Sequence, residues 1–80
     1  MKGEFSVCQF FDDESYEYVR RFVDAEEALT TFLHYSNSGT AKLGITQRVI
    51  ITDGGDCTTA EWKFGSGIVF PPALAGLRFA

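Results

Sequence analysis

Four acidic residues are the first candidates for chemistry in this sequence: Asp24, Glu27, Asp53 and Asp56. Carboxylate oxygens are the ligands that hard cations such as Ca²⁺ and Mg²⁺ prefer. The spacing does not match an EF-hand loop, which needs ligands at alternate positions and a distal Glu. Asp53 and Asp56 also flank two glycines, as residues that stabilise a turn do. We therefore expect Asp53 and Asp56 to stabilise a turn, and we keep a small-ligand or divalent-metal site on the four residues as an alternative hypothesis.

The residues for nucleophilic chemistry are Cys8, Cys57 and His34. A thiol beside a histidine can act as a nucleophile, but nothing in the spacing of these three residues brings such a pair together. Two cysteines without a CxxC spacing predict neither a zinc site nor a redox site, and the common hydrolase and phosphate-loop motifs are missing from the sequence. A small Cys/His enzyme is a second alternative, and we expect a non-enzymatic protein without a cofactor.

Aromatic residues and an arginine alternate in the segment 16–23. On a strand, period two places four of its residues on one face: Tyr16, Tyr18, Arg20 and Phe22. Some RNA-binding sheets stack bases on such a face, but the formal charge of −4 opposes phosphate binding. Tyr, Phe and Arg are also enriched at protein interfaces. The row therefore predicts a protein interface, which we extend to the apolar residues Phe70 and Leu74.

The elements that position these residues follow from the hydrophobic pattern. It predicts strands at 4–11, 16–23, 47–52 and 58–64. The segment 53–56 should form a hairpin turn in which Gly55 takes a positive φ. Asp24 with Glu27 three residues later predicts a helix start. The helix should end near residue 35, and 40–45 should be a loop. Its expected apolar stripe is Ala25, Ala28, Leu29, Phe32 and Leu33.

This order of elements predicts an α+β fold, β-β-α-β-β. The expected architecture is an antiparallel four-stranded sheet with one helix on one face. A short fifth strand is possible at 68–70. Residues 1–72 form the single domain and 73–80 an apolar C-terminal tail. On the fourth strand Ala60, Trp62 and Phe64 share a face, which we assign to the core.

The strands carry more apolar surface than one helix can cover. A twelve-residue helix is ~18 Å long and shelters one sheet face, yet Cys8, Phe10 and Ile50 fall on the other. A second copy or the tail should cover that face, because large exposed apolar patches are rare on monomers. We therefore expect a homodimeric protein-interaction module. With neither a secretory signal nor a ~20-residue apolar run, we expect a cytoplasmic protein that binds neither membrane nor nucleic acid.

Overall fold

The computed structural model describes residues 3–71 as one antiparallel sheet of five strands with two helices. The elements in chain order are β1 (Phe5–Phe11), β2 (Tyr16–Val23), α1 (Ala25–Ser36), α2 (Gly39–Lys42), β3 (Thr46–Thr52), β4 (Thr58–Lys63) and β5 (Gly67–Phe70). The strand order across the sheet is β2-β1-β3-β4-β5. The predicted α+β class and the β-β-α-β-β order are confirmed, and the fifth strand is present. The short helix α2 occupies a segment that the sequence predicts to be a loop.

Helix α1 begins where the sequence predicts, but the stripe that it turns toward the sheet differs in part from the expected one. The Asp24 carboxylate accepts a hydrogen bond from the Glu27 backbone N–H at 2.8 Å, which caps the first turn. The residues of α1 that are buried are Ala28, Thr31, Phe32 and Ser36. Ala28, Phe32 and Leu33 of the expected apolar stripe do pack on the core, while Ala25 and Leu29 are exposed. The small polar residues Thr31 and Ser36 complete the buried side, and the Ser36 hydroxyl donates to the Leu33 carbonyl at 3.2 Å.

The hydrophobic core lies between α1 and one side of the sheet, called the helix face below. Its buried residues are Val7, Ala28, Phe32, Val49, Ile51, Ala60 and Ile68. Trp62 is partly buried and packs against this cluster, so Ala60 and Trp62 share the core face as predicted. Phe64 does not, because β4 ends at Lys63 and the following residue is exposed.

A chain of buried polar side chains explains why α2 forms. The Thr46 side chain is fully buried, and its hydroxyl donates to Gln9 Oε1 at 3.1 Å. The hydroxyl groups of Thr40 and Thr46 form a second hydrogen bond, with their oxygens 2.9 Å apart. Ser38 caps α2 by accepting from the Ala41 backbone N–H at 3.2 Å. In residues 3–71 every buried side-chain nitrogen or oxygen has a partner. The polar chain therefore fixes α2 against β1 and β3 without an unpaired group.

The Asp53–Asp56 turn connects β3 and β4 as predicted, but with a different backbone. Asp56 has the positive φ, 62°, and Gly55 is not in the left-handed region, so that part of the prediction was wrong. Asp53 Oδ1 accepts from the backbone N–H of Gly55 at 2.8 Å and of Cys57 at 3.0 Å. These two bonds build the turn from the Asp53 side chain, and Asp tolerates the left-handed conformation better than most residues.

Candidate functional site

The sheet side opposite α1, called the far face, is where the structure gathers the most exposed aromatic surface. Side chains alternate along each strand, so Cys8 and Phe10 of β1 lie on the far face while Val7 enters the core. Cys8 and Ile50 are directly opposite each other at the centre of this face. Both are buried, Cys8 to 2% exposure, and the aromatic residues lie around them.

Four aromatic residues on β1 and β2 form a band called the aromatic strip, in which Arg21 joins Phe22 to the other three: Phe10, Tyr16, Tyr18 and Phe22. The ring centroids of Phe10 and Tyr16 are 5.8 Å apart, and those of Tyr16 and Tyr18 are 6.1 Å apart in an edge-to-face arrangement. The Arg21 guanidinium lies 4.4 Å from the Tyr18 centroid and 5.1 Å from the Phe22 centroid. These distances suit aromatic pairing and cation–π attraction. The strip is therefore organised before any partner binds.

The backbone of β2 decides which arginine belongs to the strip. Its register with β1 shifts twice, and Phe22 has a φ of 58°. An extra residue in a strand reverses the alternation of side chains beyond it. Arg20 consequently turns to the helix side, where its Nε is 3.7 Å from Glu27 Oε2. The predicted row of Tyr16, Tyr18, Arg20 and Phe22 is thus corrected, because Arg21 stands where Arg20 was expected.

Phe70 lies on the far face at the opposite rim of the sheet, where it pairs with Glu61. Between the two rims, Arg48 Nε is 2.6 Å from Glu61 Oε2, and the Arg48 guanidinium lies 4.9 Å from the Phe10 centroid. This ion pair neutralises the middle of the face and connects its two halves. Leu74, the other apolar residue of the predicted interface, lies outside the residues that the structure describes.

The aromatic strip has opposite charges at its two ends. The β1–β2 turn beside Tyr16 is acidic, with Asp12, Asp13 and Glu14, whereas the Arg21 guanidinium lies between Tyr18 and Phe22 in the other half of the strip. Hydrogen bonds from the Ser15 hydroxyl and backbone N–H lower the pKa of Asp13, so its carboxylate stays charged. The strip is therefore a dipolar surface as well as an apolar one.

Two shallow hollows flank these features. One, of about 320 Å³, is lined by Phe10, Gln47, Arg48, Lys63 and Phe64 at the end of the far face. Its two phenyl rings and two cations suit an acidic or aromatic side chain of a partner. The other, of about 280 Å³, lies between β2 and α1 and is lined by Arg20, Thr30, Thr31, His34 and Tyr35. Sequence reasoning named only Arg20 and His34 among these residues as candidates for a site, because hollows at element ends depend on tertiary packing.

The four acidic residues of the alternative site have separate local roles. Asp24 caps α1, Asp53 builds its own turn, and Glu27 faces Arg20. Within residues 3–71, no group of three or more His, Cys, Asp or Glu side chains is arranged to hold a metal ion. The small-ligand form of this alternative stays a prediction, carried by Asp24, Glu27, Asp53 and Asp56.

The cysteines and the histidine lie in different parts of the fold. Cys8 is on the far face, whereas His34 is exposed on α1 across the sheet. The ring centroids of His34 and Tyr35 are 5.1 Å apart in an edge-to-face arrangement. Burial raises the pKa of the Cys8 thiol, which keeps it protonated and a poor nucleophile at neutral pH. Cys57 is exposed in the turn at the sheet end where α1 begins, far from the last turn that carries His34.

No model of a known protein family matches the chain, and neither a curated protein nor a solved structure matches it. Neither helix of residues 3–71 has the length and apolar character needed to cross a membrane.

Proposed function

We propose that the protein is a small non-enzymatic interaction module that self-associates through its far face. The observation that carries this proposal is the aromatic strip, in which Tyr16 is 63% and Phe22 60% exposed. Aromatic residues and arginine are the types that dominate binding energy at protein interfaces. An exposed patch of this kind is rare on a protein that works alone.

A second copy is the occupant that suits the shape of this surface. Two sheets pack face to face at about 10 Å with their strands roughly aligned, as in a β-sandwich. Five strands spaced at ~4.8 Å and about six residues long give a face of roughly 500 Å² per copy. A total near 1,000 Å² is at the lower limit of specific interfaces. We therefore expect a reversible homodimer of modest affinity.

The exposed edge of β2 is a poorer route to self-association than the face. An edge strand pairs with another chain when it is long and regular, and bulges prevent this. The two register shifts and the positive φ of Phe22 interrupt the hydrogen-bonding row of β2. The same proposal includes a cytoplasmic location and a contribution from Phe70 and Leu74, without a membrane or nucleic-acid partner.

Sedimentation velocity over a concentration series tests the proposal. We expect the average mass of the wild type to rise toward that of a dimer as concentration increases. Tyr18→Ser should weaken this association because it removes the central ring of the strip. Leu43→Ser is the matched control, since Leu43 is 77% exposed but lies outside the strip. A wild type that stays monomeric, or two variants with equal effects, would contradict the proposal.

A further inference from the structure

The dipolar character of the aromatic strip defines how two copies meet. We infer that the far faces pair strip on strip around a two-fold axis that crosses β2 near Tyr18, with the two β2 strands antiparallel. This inference rests on the proposed self-association and adds the orientation of the second copy. It follows from the acidic turn at one end of the strip and from Arg21 between Tyr18 and Phe22 in the other half.

Charge selects this axis over the alternative one. A two-fold axis along β2 would place Arg21 against the partner's Arg21 and would place the two acidic turns together. An axis across β2 instead brings Arg21 of each copy toward the turn that contains Glu14 of the other. Like charges that face each other at an interface weaken association, whereas complementary ones set the register. The antiparallel orientation therefore places opposite charges near each other at both ends of the paired strips.

The aromatic rings agree with the same orientation. Antiparallel pairing brings Tyr16 over the end of the partner's strip that carries Arg21 and Phe22, and it brings the two copies of Tyr18 together at the axis. The Arg21 guanidinium already lies within 4.4 Å of the Tyr18 ring centroid, so a partner ring can contact its other surface. A guanidinium between two aromatic rings is a favourable cation–π arrangement.

A charge exchange between two variants tests the orientation. Glu14→Lys should place like charges against Arg21 of the partner, and Arg21→Glu should place them against Glu14. Each variant alone should associate roughly tenfold more weakly than the wild type. An equimolar mixture should recover association close to the wild-type level, because each mixed dimer restores opposite charges at both ends. Glu26→Lys and Lys42→Glu carry the same charge changes outside the strip. They should leave association at the wild-type level, both alone and as a mixture.

The two variants also separate this orientation from self-association itself. If the wild type associates but the mixture does not recover association, this orientation is wrong while self-association stands. A wild type that never associates overturns both.

Discussion

Single residues of the far face show how small local contacts define a surface. Arg21 bridges Tyr18 and Phe22, and Arg48 connects Phe10 to Glu61. The sequence predicts that Tyr16, Tyr18 and Phe22 belong together, because residue type and spacing are enough for that. It does not predict which arginine joins them, since that choice depends on a backbone irregularity.

Two glycines with different backbones give a first prediction. Gly65 has a φ of 84°, whereas Gly55 does not lie in the left-handed region. Gly65→Ala should lower the free energy of unfolding by about 1 kcal/mol, because an L side chain is strained there. Gly55→Ala should leave it unchanged or raise it by about 0.5 kcal/mol through the unfolded chain. Denaturant unfolding of both variants measures the difference, and equal losses would refute the turn geometry.

The two cysteines should differ sharply in reactivity. Cys8 is buried with a raised pKa, and Cys57 is exposed. Thiolate is the reactive form, so a thiol reagent at neutral pH should label the Cys8→Ser variant quickly and the Cys57→Ser variant slowly. Labelling in denaturant should remove the contrast. Rapid labelling of native Cys8 would place it outside the protected centre of the far face.

At the scale of elements, β2 shows where period-two reasoning fails. The alternation holds from Tyr16 to Tyr18 and then breaks, because the register with β1 shifts before Arg20. Bulges arise from pairing with the neighbouring strand, and a single strand's sequence does not contain that information. Helix α1 differs in a similar way: its start follows from local capping, whereas the buried stripe depends on how the helix docks on the sheet.

The capping interaction of α1 is open to a direct measurement. Asp24→Ala removes the acceptor of the Glu27 backbone N–H and should lower the free energy of unfolding by about 1 kcal/mol. Asp24→Asn is the control, because its amide oxygen can accept the same bond. If thermal melts show equal losses for both variants, capping by this side chain is not what stabilises the helix start.

The buried polar chain gives a larger expected effect. Thr46→Val keeps the side-chain shape but removes a hydroxyl that donates to Gln9 and meets Thr40. An unpaired buried polar group costs about 1–3 kcal/mol, so Thr46→Val should destabilise the fold by that amount. Thr58→Val is a suitable comparison at a partly buried position of β4. Chemical denaturation with both variants would disprove the role of the chain if their losses matched.

At the scale of the whole molecule, the sequence predicts the fold better than the surface. The four main strands, the helix start and the fold class follow from patterns within single segments, and the structure confirms them; the fifth strand is predicted only as a possibility. The mismatch between one helix and two apolar sheet faces directs attention to the far face. The neutralising pair of Arg48 and Glu61 joins residues thirteen positions apart, so only the strand order reveals it.

Self-association should also appear in the stability of the whole protein. A dimer that forms only from folded chains makes the melting temperature rise with protein concentration. Calorimetry at low and high concentration should show this rise for the wild type and for Leu43→Ser. Tyr18→Ser should show little concentration dependence. A wild-type melting temperature that does not change with concentration would count against the dimer.

Both borders of the sheet are unsuited to continued growth. β2 is irregular, and β5 has four residues and is followed directly by Pro71, which offers no backbone donor. Open, regular borders are what allow chains to stack into fibrils. We therefore expect that the protein does not form fibrils at high concentration despite the exposed aromatic residues of its far face. Any assembly that it forms should close at a small, fixed number of subunits.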